Sequence, residues 1–248
     1  MIHPTSIISK DAIIGNNVEI GAYSIIYDNV VIGNNSRIGS YCEIGIDTPL
    51  AKEKKLIVGD NSNIRSKAVI YIGSNIGKDL QTGHGITIRE NSKIGISVQL
   101  GNRTDIQGDC IIGDFTKMHA DVHIGKMSKI GNFCWLFPEV LLTNDPTPPS
   151  NDLIGVTIDD FVVVAARSIL MPGITLKNNS VVAAGSLVNG DIPEGKLAQG
   201  NPAKIICNAN VLRLKTDVRV KAYPWYKRFF RGYPKEIVLK WQEEDKTR

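Results

Sequence analysis

An all-β solenoid of short parallel strands is the fold that this 248-residue sequence predicts, and three observations predict it. Every sixth residue from Ile2 to Ile44 is isoleucine, and four residues after each stands a small or short side chain, as at Ser6, Val18, Ser36 and Cys42. The frame slips and resumes, running from Val58 to Leu142 and again from Ile158 to Val188, in runs of eight, fifteen and six hexads, 29 in all. Third, 23 Gly stand against only 6% aromatic residues, a skew toward turns and small packing.

A period of six fits neither the 3.6 of a helix nor the 2 of a simple hairpin, but it fits a short strand plus a turn with two inward side chains per unit. Three units close a triangular coil of 18 residues. Nine to ten coils at the inter-strand spacing of roughly 4.8 Å make a prism about 45 Å long. Thr82 alone breaks the apolar rule of the sixth residue. Cys42, Cys110 and Cys134 occupy the small inward position, so buried, reduced thiols are expected rather than chemistry.

The two frame slips mark insertions on an otherwise rigid scaffold, at about 46–56 and 143–157. Pro146, Pro148 and Pro149 stiffen the second into a pre-shaped lip. The expected organisation is a solenoid over 1–193 and a C-terminal extension over 194–248. That extension holds an aromatic and basic cluster, Tyr223 to Pro234, followed by a helix from Lys235 to Glu244, and is expected to cap or pack on the prism.

The net charge is +4, and from Lys204 onward 12 Lys and Arg face 5 Asp and Glu. No recognised nucleic-acid module accompanies this basic end, and neither a signal segment nor a long apolar run is present. No nucleic acid, no membrane and a cytoplasmic location are the expectations.

Residues 18 apart lie one above another on a prism of this period. Arg103, Asp121 and Glu139 therefore form a vertical charge ladder, and Asp105 stands under His123, both facing outward. A carboxylate beside an outward histidine fixes its tautomer, the arrangement a general base near neutral pH requires, and Glu139 is the other candidate base. His119 projects from the same hexad as His123, and His84 lies in the hexad that Thr82 disturbs, where a ligand approaching the backbone would relax the pattern. Ala165 stands under Ala183, and Ala166 under Ala184, giving two methyl columns wide enough for a linear chain to lie against backbone. His84, His119 and His123 do not recur at 18-residue spacing, so no metal is expected.

The hexads over about 1–193, with the closing Gly200-Asn-Pro-Ala-Lys204, closely resemble the left-handed parallel β-helix of the hexapeptide-repeat acyltransferases. The stretches GHGITIREN, LLTNDPTPP and GNPAK most resemble N-acetyltransferases that act on nucleotide-linked amino sugars. The left hand comes from this resemblance, since crossovers in ordinary sheets are right-handed. It implies acetyl-coenzyme A along the groove of Ala165, Ala166, Ala183 and Ala184 with Lys204 at its phosphates, a homotrimer with sites between subunits, and a role in surface polysaccharide synthesis. It nominates Asn144 at the sugar amine. By position Glu139 faces the same pocket, and His84, Arg103, His119, Asp121 and Asp145 are the expected substrate contacts. The expected substrate is a thymidine-linked 3-amino-3,6-dideoxyhexose. Met118-His-Ala-Asp121 departs from the Ile-Gln-x-Asn common in relatives. The rivals are an O-acetyltransferase on the same scaffold and a non-enzymatic β-helix that binds or assembles.

Overall fold

The computed structural model describes residues 1–246, so the last two of the expected extension lie outside the described residues. The chain winds into a parallel β-helix, in agreement with the period of six, with three sheets of ten, nine and eleven strands. The first face starts with Ile7–Ile8, the second with Ile13–Ile14 and the third with Glu19–Ile20. Register advances by 18 residues: Thr87 pairs with Asp105, Asp105 with His123 and His123 with Leu141. Across the two insertions the vertical step lengthens to 26 and 28 residues, seen where Asp60 accepts from the Asn34 amide and Asp160 from that of Asn132.

The inward isoleucines form one continuous column-packed core; Ile88, Ile106 and Ile124 are fully buried and stacked rung on rung. The second inward position holds branched aliphatics such as Val30, Leu80, Ile86 and Val98, all fully buried, as well as small polar side chains. Ser, Thr and Cys fit it because their side-chain donors reach the next rung's carbonyls, as Ser24 Oγ reaches Gly39 O at 2.7 Å and Cys134 Sγ reaches Asp159 O at 3.0 Å. Burial pushes the Cys110 and Cys134 thiols up to about 12, which keeps them protonated and inert. Thr82 is satisfied internally: its hydroxyl accepts from the Arg65 amide and donates to Gly83 O, both at 2.9 Å.

The corners need left-handed backbone. Between the second and third faces that conformation is carried by Asn17, Asn35, Asn61 and Asp79, whose side chains bond in a ladder, and higher up by Phe115, Phe133 and Phe161 at φ near +57 to +60°. Bulky residues disfavour positive φ. Here the phenyl rings stack at 5.1 and 5.0 Å and receive the C-terminal extension, so packing offsets the backbone cost. The chain turns back in the antiparallel pair Lys196–Gly200 and Ala203–Asn208, and the helix Lys235–Lys246 brings Trp241 onto Phe133. Trp225, Tyr233 and Trp241 are buried against the upper third face, so the extension packs along the prism as expected.

Lys117 is enclosed by this seam, its ammonium 4.0 Å from the Tyr233 ring and 4.9 Å from that of Trp135, and donating to Gly232 O at 3.5 Å. Burial, helped by the charge of Arg231, lowers its pKa to about 8. The unfolded chain still holds that proton up to about pH 10.4, so native stability should rise with pH between about 8 and 10.4 as folding ceases to require a buried cation. Urea midpoints at pH 7.5 and 9.5 check this: the wild type should gain relative to Lys117→Met over that interval. Parallel curves would contradict it.

Both insertions leave the same corner, between the first and second faces: residues 47–55 follow the strand Glu43–Ile46, and 143–156 follow Leu141–Leu142. Residues 47–55 lie along that corner. The Lys52 amide donates to Asn91 Oδ1, and its ammonium pairs with Asp109 at 2.6 Å.

Candidate functional site

The first face carries the one histidine of this chain that pairs with a carboxylate among the described residues. His123 and Asp105 point outward from adjacent strands in register, and His123 Nδ1 lies 2.9 Å from Asp105 Oδ2. Both are partly exposed. A carboxylate can only accept, so it places the ring proton on Nδ1 and leaves the Nε2 lone pair open.

Gln107 holds this pair by a hydrogen bond, and Arg89 acts on it only through its charge. Gln107, two positions along the Asp105 rung, donates its amide to the same Oδ2 at 2.7 Å. Arg89, one rung below Gln107, pairs with the buried carboxylate of Glu90 at 3.0 Å and lies 5.2 Å from the Tyr71 ring. Burial pushes the Asp105 carboxyl up, but the hydrogen bonds from His123 and Gln107 and the charge of Arg89 outweigh it and hold it below the ordinary carboxylate range. Asp105 therefore stays anionic. Gln107 was legible in principle, since residues two apart share a strand face; Arg89 follows from the same step of 18 below it.

At one edge of this face, Gly125 follows His123 by two residues, and a Cβ there would meet Leu142 O at 2.6 Å. Glycine thus lets the next rung close down, and Asn144 Cβ comes to 3.3 Å from that point. Asn144 O accepts from the Ile154 amide, which ties the two ends of the 143–156 segment together. Asp145 is engaged within the loop: its carboxylate accepts from the amides of Thr147 and Ser150 and the Ser150 hydroxyl, at 2.7 to 3.0 Å. These bonds hold it below the usual carboxylate range, outweighing a slight cost of burial.

The opposite edge is the corner between the third and first faces. Arg103 grips Asp121 through two bonds of 2.6 Å, and Glu139 is gripped in turn by Arg167 at 2.8 and 3.3 Å. The ladder is therefore two arginine–carboxylate pairs rather than one arginine under two like charges. Arg167 is 28 residues beyond Glu139, the 18-residue step plus the ten-residue insertion, which is why equal spacing missed it. His84 shares this corner lower down, its Nδ1 2.8 Å from Ser66 Oγ.

His119 lies across that corner, on the third face. Its ring stacks on Phe137 at 4.7 Å, and burial lowers its pKa. The structure thus separates the two histidines of one hexad onto two faces. Ala165 and Ala183 continue the His119–Phe137 column upward, Ala166 and Ala184 flank it, and Ala183 donates its amide to Ala198 O beside the strand carrying Lys204. Lys204 is exposed and has no ion-pair partner among the described residues.

Residues 1–45 match the family described as bacterial transferase hexapeptide (six repeats). The chain is 30% identical over 204 residues to the bifunctional protein GlmU of Acetivibrio thermocellus, covering 80% of this chain and 41% of that one. It spans about two fifths of the length of the GlmU relatives it matches. Over 51 residues it is 49% identical to the putative acetyltransferase YJL218W of Saccharomyces cerevisiae, covering 21% of this chain and 26% of that one. Among solved structures, LpxA of Bacteroides fragilis, a UDP-N-acetylglucosamine acyltransferase, superposes with a TM-score of 0.48 at 21% identity, over 96% of this chain and 80% of that one.

Proposed function

We propose that this chain, whose repeat is that of the bacterial hexapeptide transferases, is an acyltransferase that moves an acetyl group from acetyl-coenzyme A to the amine of a nucleotide-linked amino sugar. The observation that carries the reading is the His123–Asp105 pair, 2.9 Å apart on the outer first face and flanked by the 143–156 loop. The thioester supplies an activated carbonyl with a good leaving group. His123 Nε2 removes a proton from the amine nitrogen as that nitrogen bonds to the carbonyl carbon. Collapse of the adduct breaks the carbon–sulfur bond, and the imidazolium returns the proton to the departing thiolate, so the ring ends as it began. Asp105 keeps the proton on Nδ1 throughout and stabilises the transient imidazolium. Asn144 orients the amine, and Glu139 bounds the other edge.

The methyl columns of Ala165, Ala166, Ala183 and Ala184 suit a pantetheine arm, being small, with the Ala165 and Ala183 amides already bonded to the next rung. Lys204, exposed beside their upper end, suits a phosphate. One subunit offers one wall of such a groove, which favours a homotrimer, and a thymidine-linked 3-amino-3,6-dideoxyhexose is the acceptor we favour, in surface polysaccharide synthesis in the cytoplasm. A hydroxyl acceptor is the second reading, because a hydroxyl depends on a base such as His123 more than an amine does.

Thiol release, followed with Ellman's reagent in mixtures of protein, acetyl-coenzyme A and a panel of nucleotide-linked amino sugars and their hydroxyl counterparts, tests this. Release that requires an amine is the expected result. Release with hydroxyl sugars alone replaces it with O-acetylation, and no release with any acceptor overturns acetyl transfer.

A further inference from the structure

Glu90 is the one acidic residue that is fully buried among the described residues, at 1% exposed. A carboxylate in such a place is costly unless it is paired, and two features of its surroundings are built around it. Arg89 grips it in a fork, Nε to Oε2 at 3.0 Å and Nη2 to Oε1 at 3.3 Å, while the Tyr71 ring lies 5.2 Å from the guanidinium. Gly108, one rung above, has no left-handed backbone that would call for glycine, yet a Cβ there would stand 2.7 Å from Glu90 Oε1. That glycine is therefore space kept for the carboxylate, and it directly follows Gln107. Arg89 stands in the column below Gln107, whose amide bonds Asp105 Oδ2, and its positive charge reaches the Asp105 carboxylate.

From this arrangement we infer that Glu90 is a positioning residue for His123: it locks the Arg89 guanidinium beneath the Asp105–His123 pair and offsets its charge, so that this ion pair sets how firmly the imidazole holds its second proton. The catalytic consequence rests on the acyl-transfer reading, and the electrostatic one does not. The other charges around His123 are closed in pairs more open to water. Asp109 lies between Lys52 and Lys126 at the first–second corner, Arg103 grips Asp121 and Arg167 grips Glu139 at the third–first corner, and Leu141 on the strand above is uncharged. A charge changed at 89 or 90 is thus screened least.

Proton NMR titration of the His123 ring in the full chain, its Cε1 signal assigned by its loss in His123→Ala, tests this without any substrate. Glu90→Gln keeps the shape and leaves the Arg89 charge unopposed, so the titration midpoint should fall by about half a unit. Arg89→Gln removes that charge, so the midpoint should rise by about as much. Arg89→Lys, which keeps the charge, should restore the wild-type midpoint, and near-ultraviolet circular dichroism checks that each variant keeps its packing. Opposite shifts separate an electrostatic role from a merely structural one, which would move both glutamine variants the same way or neither. Either of those results overturns the proposal, as does a lysine variant that titrates like Arg89→Gln. If Glu90→Gln does not fold, Arg89→Gln at its partly exposed position decides alone, and no upward shift overturns it. In the acetyl-transfer assay the acidic limb of kcat/KM should follow the ring. Shifts without thiol release would remove acyl transfer and leave the positioning role, and thiol release without shifts would do the reverse.

Discussion

His123→Ala lowers kcat/KM for acetyl transfer by about 10²- to 10⁴-fold, the range that a positioned general base contributes. Asp105→Asn lowers it as well, for a different reason. The amide can turn its NH₂ toward His123 Nδ1, which moves the ring proton to Nε2 and leaves no lone pair for the amine. Gln107→Leu is the milder variant, because it removes one of the two bonds into Asp105 Oδ2 and leaves the other. Steady-state kinetics with the acceptor identified by thiol release measure all three. If His123→Ala retained turnover within about threefold of wild type at every pH, the departing thiolate would be taking the proton and the pair would be a surface contact.

Ile106→Ala destabilises the chain by about 2–5 kcal/mol, and Ile106→Val by about 0.5–1.5 kcal/mol, in urea unfolding. Ile106 is fully buried between Ile88 below and Ile124 above, all three in register. The solenoid backbone is held rung to rung by ladder hydrogen bonds, so it cannot collapse sideways to fill a missing side chain, and the upper part of the range is expected. Because each rung contacts only its neighbours, the loss is concentrated around that rung. A loss below 1 kcal/mol for the alanine variant would mean that the column does not carry the stability assigned to it.

The fold was legible because its information is one-dimensional. A fixed period, an inward apolar residue and a small residue four later specify the strand, the corner and the register at once, and both insertions declare themselves as breaks in the count. The same arithmetic placed Asp105 under His123, and the structure has them paired. It failed where the count was interrupted: Arg167 is 28 residues from Glu139, so a ladder read at equal spacing lacked its upper cation. It also could not sort residues across a corner. His119 and His123 belong to one hexad, yet the left-handed backbone at Asp121 turns the chain between them, and they face different surfaces.

The sequence by itself determined the coil length, the inward columns, the places of the two insertions along the chain and the vertical neighbours, because on a prism position along the chain converts directly to position in space. Only the tertiary structure decided what lies between columns and beyond the repeat. Gln107 bonds to Asp105 sideways, Asp145 turns inward on its own loop, and the extension chooses the Phe115–Phe133–Phe161 ladder and encloses Lys117. Those contacts depend on side-chain reach and on surfaces without a period, and a repeat count holds no information about either.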